Sequence, residues 1–290
     1  ASADTASAYA SWLSYADRIK LQNEILSSDL EVLEIIKARV DAGAASELEL
    51  AQQKSEVAST QASLIALEQQ RGQTVYQLAL LLGESPAQLN QQFAANRDSG
   101  LDTLHPDKAL VLQPGAVLQH RPDIQQAEMQ FKAAHYDVEA AKAALFPGVD
   151  LSASAIALFN PSAHATEWSV SVLAPLFDRG ALNARREFAS AKARESLANY
   201  KGVVLTAFKE VETALQGLDA SNRRIEALQR AVAESQKAYQ IAKQRYEAGA
   251  IDFETLLQTQ RSLLQQTDNL AQAKLARIQA LIDIYRSTGG

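Results

Sequence analysis

Four histidines and two arginine-glycine pairs are the residues of this 290-residue chain whose types and spacing bear on chemistry. The histidines, His105, His120, His135 and His164, keep no ligand spacing with one another or with acidic residues, so they outline no metal centre. There is no cysteine to act as a nucleophile, and no Gly-rich phosphate loop or Gly-x-Ser-x-Gly elbow. Carboxylates are plentiful, but they fall on helix faces where ion pairing is the default. These features argue against an enzyme and give no cofactor or metal to expect. What recurs instead is RVDAGA, beginning at Arg39, and RYEAGA, beginning at Arg245. Each places a guanidinium four residues ahead of a glycine, Gly43 or Gly249, and a capping oxygen, Ser46 or Asp252, three residues beyond it. A glycine ends a helix in the left-handed conformation, a cation in the last turn meets the terminal carbonyls, and Ser or Asp caps the returning helix. These six residues therefore make a stable αα-hairpin, and an exposed turn of this kind can also dock a partner.

The elements that carry these turns form a duplication. Arg245 lies 206 positions beyond Arg39, as Gly249 does beyond Gly43, and at the same offset Arg18 meets Arg224, Ile35 meets Ile241, Lys37 meets Lys243, Leu50 meets Leu256, Gln52 meets Gln258 and Arg71 meets Arg277. An ungapped register over about sixty positions marks an internal repeat. In the first copy Ile19, Leu26, Leu33, Ile36 and Val40 step by threes and fours, with the polar Gln22 and Asp29 in the gaps. In the second, Ile225, Leu228, Val232, Ser235, Tyr239, Ala242 and Tyr246 run unbroken to Gly249. Beyond each glycine the pattern restarts, through Leu50, Val57 and Leu64 and through Leu256, Leu263 and Leu270. Each copy reads as a helix, a tight turn and a second helix, the second copy's entering helix starting near Ala181.

Composition agrees, with 47% hydrophobic residues but only 6% aromatics, in a chain dominated by the helix formers Ala, Leu and Gln. A net charge of -6 gives no reason to expect nucleic acid. No signal peptide, lipidation cysteine or apolar run of about 18 residues is found in these 290 residues, so any route to a membrane is not a helix. Residues 86–120 hold most of the turn formers and read as an irregular connection with one short helix. A helix from Pro122 should then run to Phe146, where Pro147 and Gly148 stop it.

Residues 148–178 carry the chain's β signal. Apolar and polar residues alternate over residues 149–159 and 168–177, with a loop expected at 160–167. Each run has the roughly 9 to 11 residues that a tilted strand needs to cross a bilayer, and Phe159 and Trp168 would flank the loop as membrane-interface aromatics. One hairpin cannot close a barrel, so a membrane role needs strands from other chains. The alternative is a surface hairpin packed on helices.

The order HRPDIQQAE, AAKAALFPGVDLS, a strand hairpin, APLFDRGAL, a long helix with AFKEVETAL and then RYEAGAIDFETLLQTQRSLL resembles the C-terminal half of an outer-membrane factor, the TolC-like and OprM-like efflux channel family. The first copy, from AYASWLSYADRIKL to VYQLALLLGE, is similar to the end of that family's N-terminal half. The resemblance implies a mainly α fold of long antiparallel coiled-coil hairpins with one β-hairpin contributing to an oligomeric transmembrane β-barrel. Its parts would be a first hairpin at 1–85, an equatorial connection at 86–120, a helix at 121–147, the barrel hairpin at 148–178 and a second hairpin at 179–290. It further implies a homotrimer in the bacterial outer membrane extending into the periplasm, touching outer-membrane lipid and serving efflux or type I secretion. The turns at Arg39, Gly43, Ser46, Arg245, Gly249 and Asp252 would meet a periplasmic adaptor, with an inner-membrane pump of RND or ABC type below. Where some members narrow the periplasmic mouth with acidic residues, this chain has Thr255 and Gln258, with Glu254, Asp252 and Tyr246 close by, so a family-type acidic gate is not expected. The position equivalent to 206 is zero, so the chain is expected to be a piece of a longer parent, with one strand hairpin where the family has two. A periplasmic coiled-coil structural or adaptor protein is the alternative reading.

Overall fold

A computed structural model describes residues 2–94, 99–104, 121–157, 164–175 and 177–289. The chain divides into two units, residues 1–112 with 210–288, and residues 113–209. In the first unit, helix α1 (Ser2–Asp41) turns into α2 (Glu47–Leu82), which is followed by the short α3 (Pro86–Ala94) and a single 3-10 turn, Leu101–Thr103. Helix α4 (Pro122–Ala143) and strands β1 (Gly148–Ala157) and β2 (His164–Leu173) belong to the second unit. Helix α5 (Arg179–Glu247) begins in the second unit and ends in the first, where α6 (Phe253–Ser287) follows it. Helix α5 thus starts two residues ahead of the expected Ala181.

Two apolar clusters hold the first unit. Trp12, Leu13, Val75, Leu78 and Leu89 pack together around Leu101, with the indole of Trp12 stacked on Phe93 at 4.5 Å and under the guanidinium of Arg71 at 4.6 Å. Near the turns Val32, Ile36, Tyr239, Ala242, Tyr246, Phe253, Leu256 and Leu257 form the second. Fully burying a side chain such as Ile36 or Leu256 contributes about 1.5–3 kcal/mol. The expected seam is kept at Leu33, Ile36, Val57, Tyr239, Ala242, Tyr246 and Leu256, and its two polar members, Gln22 and Asp29, are buried with the rest. Val32 joins them because α1 packs on both α2 and α6, so its apolar stripe must be wider than a two-helix seam. Ion pairs tie the helices across their edges: Arg18–Asp268 at 2.7 Å, Lys243–Glu31 at 2.9 Å and Arg261–Glu56 at 2.6 Å.

In the second unit Pro122 opens α4 in its first turn, and Arg121 pairs with Asp123 at 2.6 Å. The helix ends at Ala143, three residues before the expected Phe146, because a residue ahead of proline is driven out of the α region and Pro147 has no N–H to give. The strands pair antiparallel from Gly148↔Leu173 to Ala157↔His164. Strand β2 therefore begins inside the stretch expected to be loop, at His164, and stops at Leu173 rather than running to 177. Backbone pairing continues through residues 164–167, which lack the alternation, because the ladder satisfies their N–H and C=O groups whatever the side chains are. Pro175 cannot extend it. Val149, Leu151 and Ala153 face Val172, Val170 and Trp168 across one side, and Asp150 and Ser152 face Ser171 and Ser169 across the other, with the two serine hydroxyls 2.7 Å apart. The register puts Trp168 opposite Ala153, in the middle of the ladder instead of at the loop edge. Phe159 lies outside the described residues.

Candidate functional site

The two turns lie in the first unit and share one backbone plan. Gly43 donates its N–H to Val40 at 2.9 Å and Ala44 to Arg39 at 2.7 Å; Gly249 donates to Tyr246 at 2.9 Å and Ala250 to Arg245 at 2.8 Å. These crossed bonds form a Schellman ending, in which the glycine must take a positive φ, here 72° and 70°. The 206-residue offset thus holds for both bonds. The caps follow it too, since Ser46 Oγ accepts from the Glu49 N–H at 3.3 Å and Asp252 Oδ1 from the Thr255 N–H at 2.8 Å. These bonds to Thr255 hold the Asp252 carboxyl below the usual carboxylate range.

The side chains break the symmetry. Arg39 reaches out of its own turn: Nη1 donates to the carbonyl of Tyr246, Nη2 to the carbonyl of Ala44 at 3.4 Å, and the guanidinium lies 4.6 Å over the Tyr246 ring. Tyr246 returns the link, its hydroxyl donating to Glu49 Oε2 at 3.1 Å while its ring meets Phe253 at 5.9 Å. Burial and the neighbouring Glu49 carboxylate push the Tyr246 phenol up to about 12. The repeat equivalents of Tyr246 and Glu49 are Val40 and Thr255, so the clamp uses one residue from each copy where the copies differ. Arg245, the counterpart of Arg39, is exposed, and among the described residues its side chain makes no such bond.

Of the candidate residues, Arg39, Gly43, Ser46, Gly249 and Asp252 build and join the turns, and Arg245 remains on the surface. Glu254, Thr255 and Gln258 are exposed on α6, whereas Tyr246 is buried at 2% exposure. Glu49 went unnoticed in the sequence because a glutamate in a first helical turn is ordinary, and its mismatch with Thr255 is one of several in the register.

Deeper in the same helices a polar cluster interrupts the core. Asp29 is wholly buried; its Oδ2 accepts from Thr60 Oγ1 at 2.6 Å, its Oδ1 from Gln260 Nε2, and its backbone carbonyl from Gln53 Nε2 at 2.8 Å. Gln22 donates to the Thr60 carbonyl at 3.4 Å. Burial raises the Asp29 carboxyl above its ordinary value, and the Glu56 charge adds to that while the bonds from Thr60 and Gln260 offset part of it.

The family model for outer membrane efflux proteins matches residues 1–84 and 114–290. The chain belongs to this family. It is 36% identical, over 98% of its own length, to the pyoverdine export outer membrane protein OpmQ of Pseudomonas aeruginosa and spans 60% of that protein. It is 30% identical, over 99% of its length, to the toluene efflux pump outer membrane protein TtgI of Pseudomonas putida and spans 62% of it. Among solved structures, the outer-membrane channel OprN matches 99% of the chain at a TM-score of 0.91 and 31% identity, with 65% of that channel covered. VceC of Vibrio cholerae, at 24% identity and a TM-score of 0.85, shares the fold. The chain thus spans less than two thirds of OpmQ, TtgI and OprN, which are outer-membrane channel or transport proteins and not periplasmic adaptors. The mainly α architecture of helical hairpins with a strand hairpin is shared with these channels.

Proposed function

We propose that the chain is the helical-hairpin and strand-hairpin portion of an outer-membrane channel that carries substrates outward from a periplasmic adaptor and an inner-membrane pump, without catalysis. The observation that carries this is the strand hairpin. One face presents Val149, Leu151, Trp168, Val170 and Val172, each about 70% exposed, and the other presents Ser152 and Ser169 with Asp150 and Ser171. Water penalises the first face and lipid favours it, and among the described residues each strand has one partner and one open edge. A homotrimer that continues the sheet between protomers supplies those edges and turns the apolar faces to outer-membrane lipid.

In this reading the paired turns are the periplasmic end. Gly43, Ser46, Gly249 and Asp252 shape the surface, Arg39 holds the turns level, and Arg245 with the exposed Glu254, Thr255 and Gln258 offers the charge and hydrogen bonds that an adaptor hairpin would meet. Tyr246 serves the mouth indirectly, as the bolt between the turns. The pump, of RND or ABC type, selects the cargo. The test is a cell in which the protein is the outer-membrane component of its pump. Arg245→Glu should raise accumulation of a fluorescent efflux dye while the protein still fractionates with the outer membrane and migrates as a heat-dissociable trimer. Normal efflux in that variant would remove Arg245 from the docking surface, and recovery of the unaltered protein from the soluble periplasm would overturn the channel reading.

A further inference from the structure

The cluster around Asp29 is short of positive charge. Six oxygens belong to it: the two carboxylate oxygens and backbone carbonyl of Asp29, the Thr60 carbonyl, and the amide oxygens of Gln53 and Gln260. Side-chain groups of Gln22, Gln53, Thr60 and Gln260 donate to the first four of these, and the two backbone carbonyls also take the N–H bonds of their own helices. The Gln53 and Gln260 amide oxygens have no hydrogen-bond partner, although these side chains are 0% and 5% exposed. Each amide is anchored through its own nitrogen to Asp29, so both orphan oxygens lie within a few ångströms of that residue. No Lys, Arg or His among the described residues donates to the carboxyl. Of the charged and titratable groups on the helices around it, Glu56 of α2 and Arg261 of α6 pair with each other, Lys243 of α5 pairs with Glu31 of α1, and the Tyr239 hydroxyl of α5 is engaged with Ser28. An ionised Asp29 would be a buried charge without a counterion, which proteins avoid.

We propose that Asp29 is a proton-binding site, occupied at neutral pH, and that the bound proton is what lets α6 stay packed on α1 and α2. One carboxyl joins three helices: its own α1, α2 through Thr60 and Gln53, and α6 through Gln260. A neutral carboxyl adds a donor beside two amide oxygens that have none and removes the repulsion from Glu56. Loss of the proton leaves a bare charge at that junction, 14 residues above the Gly43 turn, or about 21 Å along the helix. The second hairpin then loosens from the first, and the Arg39–Tyr246 link weakens with it. The site stands on contacts within this unit and does not depend on the channel reading.

Infrared spectroscopy of the purified chain with carbon-13-labelled aspartate reads the proton directly. The expected result is a buried protonated carboxyl band at neutral pH that fades in alkaline buffer, is missing from Asp29→Asn, and is indifferent to exchanging potassium for sodium or calcium. Hydrogen exchange of residues 253–270 reads the coupling. Between the ordinary aspartate pKa and that of Asp29 in the fold, protection relative to Asp29→Asn should fall by up to tenfold per pH unit and then level off. Absence of the band at neutral pH overturns the proposal, as does its loss on adding sodium or calcium at fixed pH, which would make the occupant a metal cation. A protection ratio that stays flat with pH overturns the coupling. If Asp29→Asn does not fold, the labelled unaltered chain still decides the protonation, and Gln260→Leu, which removes the α6 arm alone, decides the coupling by abolishing the pH dependence of protection or leaving it.

Discussion

Arg39 and Arg245 occupy the same position in two copies of one repeat, and truncating each to alanine should have unequal consequences. Arg39→Ala removes a charged donor from the Tyr246 carbonyl, a weaker bond at 3.4 Å to Ala44, and the stacking of a guanidinium 4.6 Å over the Tyr246 ring. The Tyr246 carbonyl keeps the Gly249 N–H as a second donor, so no acceptor is orphaned and the full desolvation penalty is not incurred. What is lost is the net value of one charge-assisted hydrogen bond, about 1.5 kcal/mol, and of a half-buried cation-aromatic contact, about 1 kcal/mol, for a total of roughly 2–3 kcal/mol. Arg245→Ala removes an exposed side chain with no such partner and should change stability by no more than about 0.5 kcal/mol. Urea unfolding of the purified chain, followed by far-UV circular dichroism, measures both as shifts in midpoint at unchanged slope. Equal shifts, or an Arg39→Ala midpoint indistinguishable from that of the unaltered chain, would refute the clamp.

Gly43→Ala meets no neighbouring atom within 4 Å, so its expected cost of about 1–2 kcal/mol is purely that of forcing an L-residue to a φ of 72°, and Gly43→Asn should recover much of it in the same unfolding assay. The Tyr246 phenol is held neutral, with its folded pKa above the unfolded value of 10.0; stability from this group is whole below that pH and is lost as pH rises towards about 12, a loss that Tyr246→Phe should abolish in alkaline denaturation curves. Asp123 has the opposite sign: a side-chain hydrogen bond from Arg121 holds its carboxyl low, so its contribution is present above 3.8 and disappears as pH falls through the folded value, which Asp123→Asn should show as a weaker acid dependence. Val170→Arg on the apolar face of β2 should cost about 2–4 kcal/mol if that face meets the middle of a bilayer, read as a trimer that dissociates at lower temperature on a gel, whereas Ser169→Ala on the other face should not.

The turns were legible because a positive φ leaves glycine with few substitutes, and because a duplicated sequence states the same requirement twice. The helix spans were legible for a related reason: Leu33, Ile36, Tyr239 and Leu256 must recur at the helical period to reach one core. The clamp was not, since nothing in a periodic pattern says that the arginine of one turn lies over the tyrosine of the other. Gln22 and Asp29 showed as polar gaps in the seam, but their partners Gln53, Thr60 and Gln260 belong to α2 and α6, and only packing brings them together. The start of β2 was missed because His164 to Glu167 pair through backbone groups, to which side-chain alternation is blind.

The bond between Arg39 and the Tyr246 carbonyl constrains how these proteins can change in length. It joins two stems whose turns must arrive at the same level with the same faces toward each other. Each residue inserted into a helix advances it by about 1.5 Å and rotates everything beyond it by about a third of a turn. A single insertion in α1 between Asp29 and Arg39 would swing the guanidinium off the tyrosine while leaving the helix itself intact. Stems joined in this way have to lengthen in matched pairs or in whole turns if the bond is to be kept.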